Sequence, residues 1–338
     1  MFENKIFIVA ELSANHGGSL KLAKETVKAA KRSGADAIKL QTFRPNTITL
    51  DSKLNDFLVS QGTIWDGRYL YDLYEEAHTP WEWHEEIFNL AKNEGLVCFS
   101  TPFDKTSVDF LENLNNPIYK IASCEITDLP LIKYVASKKK PIIISTGIAN
   151  KEDIELAVKT IRKTGNNNIV LLKCTTSYPA PLNEANLLTL VDYKNKFNVI
   201  PGISDHTLGI TAPIVAASLG ARVIEKHFIL NRDLGGPDAS FSLNEEEFKK
   251  MVNSVRETEK LLGNITYDLT EKQIQGKNFS RSLYVVNAIK KGEKITEQNV
   301  KSIRPGYGLH PKYFEKILGK RVNIDLLRGE RMELRFIS

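Results

Sequence analysis

The segment VIEKHF (223–228) has the apolar residues of a buried strand, yet Glu225 and His227 fall two positions apart, on one face. A carboxylate and an imidazole buried side by side are costly unless something pairs with them. Upstream, GISDHTLG (202–209) ends an apolar run with Asp205 and His206. If the two runs are adjacent strands, the histidine backbones lie about 4.8 Å apart across the sheet, and both imidazoles reach one ion. Two histidines with open positions, completed by water or substrate oxygens, suit a divalent metal acting as a Lewis acid. Two unrelated core histidines fit the spacing equally well. His84 on a helix flank and His310 in a turn read as structural.

Lys39 and Lys120, with Thr101, Ser123, Ser145 and the Gly147 turn, supply ammonium charges and small donors. That mixture suits a ligand carrying phosphate and carboxylate. A single Ser or Thr at a strand end means little, because loops begin there. Lys39, Lys120 and Glu225 differ, since they sit within apolar runs where a lone charge is expensive. Glu11, Glu125, Glu225 and Asp238 are the carboxylates available to bind hydroxyls or handle protons. Beside a metal and two lysines they are expected to stay ionised. LGGPDASFS (234–242) reads as a rigid loop holding Asp238 over the site, or as a mere turn. SKKKP (137–141) precedes a strand and reads as a solvated patch on the far face.

Something must bring these residues together. Eight short apolar runs alternate with amphipathic stretches at 5–12, 37–43, 96–102, 118–123, 141–147, 169–175, 199–205 and 223–228. Near-continuous apolarity marks parallel strands buried on both faces. Helix signals lie between them: Ser19 before a stripe ending at Gly34, a Thr79-Pro80-Trp81-Glu82 capping box, Asn150 before a stripe ending at Gly165, and Asn244 with Glu247. The pattern predicts an α/β fold, a (β/α)8 TIM barrel, with chemistry at the C-terminal strand ends. A doubly wound sheet is the alternative, but no GxGxxG follows the first strand.

The chain of 338 residues has net charge +5, falling short of a nucleic-acid footprint and compatible with anionic small molecules. From Lys277 onward, 14 basic residues face 6 acidic ones, so the remainder is slightly acidic. Cys98, Cys124 and Cys174 form no CxxC pair, which predicts reduced thiols in a cytoplasmic protein. The apolar stretch in MFENKIFIVAEL is too short for a signal peptide or membrane span. The expected organisation is a barrel over 1–263, a polar linker over 264–282 and a small β module over 283–338. KKGEKI around Gly292 and LRGERM around Gly329 are near repeats, pointing to a pseudo-symmetric module.

AELSANHGG, IKLQTF, STPFD, YKIAS, PIIISTG, ISDHTLG, EKHF, GGPDASFS and IRPGYG resemble, in order, the sialic-acid synthase family. The resemblance spans nearly the whole chain and implies a C-terminal antifreeze-like β-clip (SAF) domain. It implies condensation of phosphoenolpyruvate with an open-chain amino-sugar aldehyde. Phosphoenolpyruvate would meet Lys39, Thr101, Lys120, Ser123, Ser145, Gly147 and Ser204. The sugar would meet Glu11, Tyr178, Glu225, Asp238 and Arg304, with Glu11, Glu125 and Glu225 as catalytic carboxylates. His206 and His227 would hold a divalent metal, Mn2+ first, with Mg2+ or Co2+ as alternatives. Arg304 matches an arginine that enters the partner subunit's barrel, implying a domain-swapped homodimer, with no nucleic-acid or membrane partner.

Within the family, GTIWDGRYLYDLYEEAHTPWEWH (62–84) resembles the branch that forms pseudaminic acid from 2,4-diacetamido-2,4,6-trideoxy-L-altrose. N-acetylneuraminate or N,N'-diacetyllegionaminate synthesis from ManNAc-type sugars is the alternative. In CTTSYPAP (174–181), neuraminate-forming members typically carry Asn where this chain has Thr176, which changes what a substrate N-acetyl group meets. Barrels acting on phosphorylated sugars need a second basic cluster, and none stands near the strand ends. A non-catalytic module binding ice or carbohydrate is a rival from another class.

Overall fold

A computed structural model describes Phe2 and residues 5–338. The chain divides into two compact units, Met1–Gly263 and Asn264–Ser338.

In the first unit eight parallel strands close into a barrel in chain order. They are β1 (Phe7–Glu11), β2 (Ala37–Thr42), β3 (Val97–Pro102), β4 (Tyr119–Ile121), β5 (Ile142–Ser145), β6 (Ile169–Cys174), β7 (Ile200–Asp205) and β8 (Val223–His227). Strand residues alternate between the lumen and the surrounding helices. The outward set, including Ile8, Ile38, Leu40, Ile203 and Ile224, packs with Ala23, Val27, Phe248 and Met251 of the helices Leu20–Arg32 and Glu245–Leu262. The inward set begins as an apolar plug of Phe7, Val9, Ala37, Phe99, Ile118, Ile143, Val170, Leu172 and Val223.

Two residues further along six of the strands, the same inward column turns polar. Val9 gives way to Glu11, Ala37 to Lys39, Phe99 to Thr101, Ile118 to Lys120, Ile143 to Ser145, and Val223 to Glu225 and His227. The site is thus the continuation of the barrel core by a period of two. The same alternation sends other polar strand-end residues outward. Ser100 Oγ bonds Thr42 Oγ1 at 2.6 Å, beside His84, whose Nε2 lies 2.8 Å from Thr42 Oγ1. Thr146 Oγ1 meets Leu172 O and the Tyr193 hydroxyl. Asp205 and Lys173 also face away, so not every polar strand end belongs to the site.

Ser19, Asn150 and Asn244 cap their helices as expected, each accepting an amide of the first turn. The capping box at Thr79 does not form. Pro80 is the N-cap of the helix Trp81–Asn93, one residue later than the motif requires, and the buried Thr79 hydroxyl has no partner. His84 Nδ1 instead bonds Pro80 O at 3.1 Å.

The second unit has a two-stranded antiparallel sheet, β9 (Ser282–Val285) with β10 (Val300–Ile303), over a core of Leu283, Val285, Ile289, Ile295, Val300, Val322, Leu326 and Met332. The two near-repeat turns are structurally alike. Lys290 N donates to Glu293 Oε2 and Leu327 N to Glu330 Oε2, both at 2.8 Å. Gly292 and Gly329 take φ of +88° and +95°, a region open mainly to glycine. The stretch read as a linker contains the helix Glu271–Gly276, capped by Thr270, and groups with this second unit.

Candidate active site

Lys39 Nζ lies 2.8 Å from Glu11 Oε1 and 3.1 Å from Glu225 Oε2, and Lys120 Nζ lies 3.4 Å from Glu225 Oε1. Ser204 Oγ donates to the same Glu225 oxygen at 2.9 Å. All four charged side chains are almost entirely buried. Burial pushes the Glu11 carboxyl up, but Lys39, His227 and Lys120 outweigh it and hold it well below the usual range. Glu225 is depressed in the same way, burial opposed by Lys120 and Lys39. Lys39 rises, because Glu11 and Glu225 more than offset its burial. Lys120 falls, since burial exceeds the pull of Glu225 and Lys39 repels it. Two cations and two carboxylates balance, so the network is held together without a ligand.

Around this network are donors without acceptors. Thr101 Oγ1 and Ser145 Oγ are buried and have no hydrogen-bond partner. Gly147 N donates to Ser123 Oγ at 3.0 Å. A Cβ on Gly147 would overlap Thr176 Oγ1 and come within 2.8 Å of Ser123 Oγ, so the backbone approaches here as only glycine allows. Thr176, the residue that departs from the neuraminate pattern, therefore packs directly on the Gly147 turn.

The rings of His206 and His227 are 5.3 Å apart between centroids. His206 Nδ1 meets Thr175 O at 3.1 Å, which requires a proton on Nδ1, so this ring can take a ligand only at Nε2 and only in its neutral form. Cys174 Sγ lies 3.8 Å from the same Nδ1. Burial lowers His206, but Cys174 and the Thr175 carbonyl push it up to about 9, while His206 outweighs burial to draw the Cys174 thiol down to about 7. His227 Nε2 is 3.4 Å from Glu11 Oε2, and its buried Nδ1 has no hydrogen-bond partner, with Asp238 Oδ2 at 3.7 Å. Among the described residues no three His, Cys, Asp or Glu side chains form a metal cluster. Two neighbouring imidazoles, one of them with an unpartnered buried nitrogen, are a donor set that fits an ion completed by substrate or water.

Asp238 accepts Ala14 N at 3.3 Å, which ties the Gly-Pro loop to the end of β1. Glu125, on the turn Ser123–Glu125, departs from the expectation that all the carboxylates are ionised. Burial pushes it up to about 7 despite Lys120, and one of its oxygens has no partner. Tyr178 packs on His206 with ring centroids 4.4 Å apart, and Phe241 lies 4.9 Å from His227. Trp65 spans the mouth, its ring 5.2 Å from Tyr178 and its Nε1 donating to Pro237 O at 3.1 Å. Cys174, Phe241 and Trp65 were not singled out from sequence. Cys174 follows Leu172 in the inward column and was legible by period; Trp65 and Phe241 lie on loops, where no period applies. Arg304 is exposed on the second unit, and His310 caps a short turn there.

These features define a (β/α)8 barrel enzyme with a buried lysine–carboxylate network beside a histidine pair. The chain belongs to the NeuB family, which matches over residues 26–267, and a SAF domain matches over 280–330. It is 48% identical over 331 residues to pseudaminic acid synthase of Campylobacter jejuni subsp. jejuni serotype O:2, covering 98% of this chain and 96% of that one. It is 39% identical over 320 residues to the N,N'-diacetyllegionaminic acid synthase of the same organism, covering 94% and 95%. A solved N-acetylneuraminic acid synthetase from Leptospira borgpetersenii serovar Hardjo-bovis, in complex with citrate, superposes with TM-score 0.73 at 30% identity, over 81% of this chain and 90% of that one. No helix among the described residues is long and apolar enough to cross a membrane.

Proposed function

We propose that this chain catalyses pseudaminic acid formation, condensing phosphoenolpyruvate with 2,4-diacetamido-2,4,6-trideoxy-L-altrose and water to give the nine-carbon acid and phosphate. The observation that carries the phosphoenolpyruvate half is a pair of buried ammonium groups in the same inward column as the unpartnered Thr101 and Ser145 hydroxyls. The sugar half is supported by the higher identity to the pseudaminic than to the legionaminic enzyme of one organism.

In this reading Lys39 and Lys120 grip carboxylate and phosphate, Thr101, Ser123, Ser145 and Ser204 supply hydroxyls, and Gly147 lets the backbone approach. A divalent ion held by His206 and His227, manganese first, would polarise the aldehyde oxygen of the sugar as a Lewis acid. Carbon 3 of phosphoenolpyruvate attacks the aldehyde carbon, forming the carbon–carbon bond as positive charge develops at carbon 2. Water adds to carbon 2, one of its protons passing to the former aldehyde oxygen, and the carbon–oxygen bond to phosphate breaks as the second proton leaves with the phosphate. Glu11 and Glu225, held ionised, face the developing positive charge. Glu125 titrates near neutrality and suits proton transfer. Tyr178 and Asp238 border the sugar. In this reading the enzyme is a cytoplasmic homodimer, and the exposure of Arg304 on a basic second unit supports its entering the partner's barrel.

The purified protein should release phosphate from phosphoenolpyruvate with the trideoxy-altrose sugar and a divalent ion, and the product mass should equal both carbon skeletons joined. Turnover of ManNAc alone would defeat the sugar assignment. Silence with every sugar and ion would defeat the enzyme.

A further inference from the structure

Asp205 and Lys226 immediately precede the two histidines in sequence and pair across β7 and β8 in register. Alternation turns them away from the lumen, yet neither side chain is more than 1% exposed. Lys226 Nζ lies 2.5 Å from Asp205 Oδ2 and also donates to Thr207 O at 2.6 Å. Asp205 Oδ1 accepts Thr207 N at 2.9 Å. The residue after His206 is therefore held by both its N–H and its carbonyl, while His206 O accepts Ala180 N at 3.0 Å.

Strand β7 ends at Asp205, so His206 has left the sheet ladder, whereas His227 is still within β8. A buried ion pair is a poor source of net stability, and apolar residues of similar size often serve as well. Apolar residues make no directed bonds to Thr207. The pair thus offers geometric definition where the ladder no longer does.

We infer that the Asp205–Lys226 pair is a positioning device that fixes His206 against His227 and thereby sets the site's affinity for its divalent ion. The inference rests on the ion reading above. Neither residue touches substrate; both act through the backbone of Thr207.

The test is titration of manganese(II) alone, followed by calorimetry, against the full-length wild-type chain and two variants. In Asp205→Asn with Lys226→Met both charges go, but Asn can still accept Thr207 N. Lys226→Gln keeps a donor and removes the charge. Phosphoenolpyruvate affinity without ion and the melting temperature are measured in parallel. At least a tenfold weaker manganese affinity in the folded double variant, with phosphoenolpyruvate affinity within twofold of wild type, supports the device. A merely structural role would weaken both ligands together. Unchanged manganese affinity in folded variants overturns the inference, as does loss of the fold in both, which assigns the pair to stability. If the wild type binds no manganese, the ion reading itself fails and the inference with it.

Discussion

Lys39 Nζ and Glu11 Oε1 lie 2.8 Å apart inside the closed barrel, with the side chains 3% and 5% exposed. Removing one partner of such a pair leaves a buried charge uncompensated, at a cost of about 3–5 kcal/mol. Lys39→Met would leave Glu11 and Glu225 facing each other with Lys120 as the one ammonium group of the network. The expected result is a clearly lower melting temperature together with roughly a hundredfold loss of phosphoenolpyruvate affinity. Calorimetry and ligand titration check both.

Glu125 gives the opposite pH signature from Glu11. Its folded carboxyl is raised from 4.5 to about 7, so between those values the unfolded chain ionises while the folded one keeps its proton. Stability from this group is present below pH 4.5 and lost as pH rises to about 7. Glu11 is depressed, so its contribution is present above pH 4.5 and lost as pH falls through the lower folded value. Glu125→Gln should therefore gain stability relative to wild type across pH 4.5–7, by on the order of 2–3 kcal/mol. It should also remove the limb near pH 7 from the kcat/KM profile. A stability difference that is flat with pH would contradict this.

Trp65 joins the loop after β2 to the loops bearing Tyr178 and Pro237. Aromatic contacts of this kind contribute about 0.5–1.5 kcal/mol beyond burial. Trp65→Ala is expected to raise the KM for sugar about tenfold, while the affinity for phosphoenolpyruvate deeper in the barrel stays unchanged. Steady-state kinetics with each substrate varied in turn decide it.

The inward column made most of the candidate site legible, because a period of two in six of the eight strands leads from an apolar plug to Glu11, Lys39, Thr101, Lys120, Ser145, Glu225 and His227. The same period explains the residues that stayed out: Ser100, Thr146 and Asp205 end strands but face helices. Loop residues obeyed no such rule. Trp65 and Phe241 reach the mouth through tertiary contacts that no spacing encodes. Thr79 failed as a cap because the chain enters the helix one residue later, at Pro80. Glu125 was expected to be ionised beside Lys120, but burial on a short turn outweighs that charge.

Gly147 has no room for a side chain, since an added Cβ would overlap Thr176 Oγ1. Gly147→Ala should weaken phosphoenolpyruvate binding and destabilise the fold by about 1–3 kcal/mol, the usual cost of overpacking. Adding Thr176→Ala removes the nearest atom and should recover part of both losses. No recovery would show that Ser123 or the backbone conformation, rather than Thr176, sets the constraint.

The account depends most on the two imidazoles sharing one ion. Counting manganese(II) bound per chain at equilibrium, in wild type and in His206→Ala with His227→Ala, tests this directly. One ion per wild-type chain and none in the folded double variant is the predicted result. An ion retained by the double variant, or none held by the wild type, would contradict it.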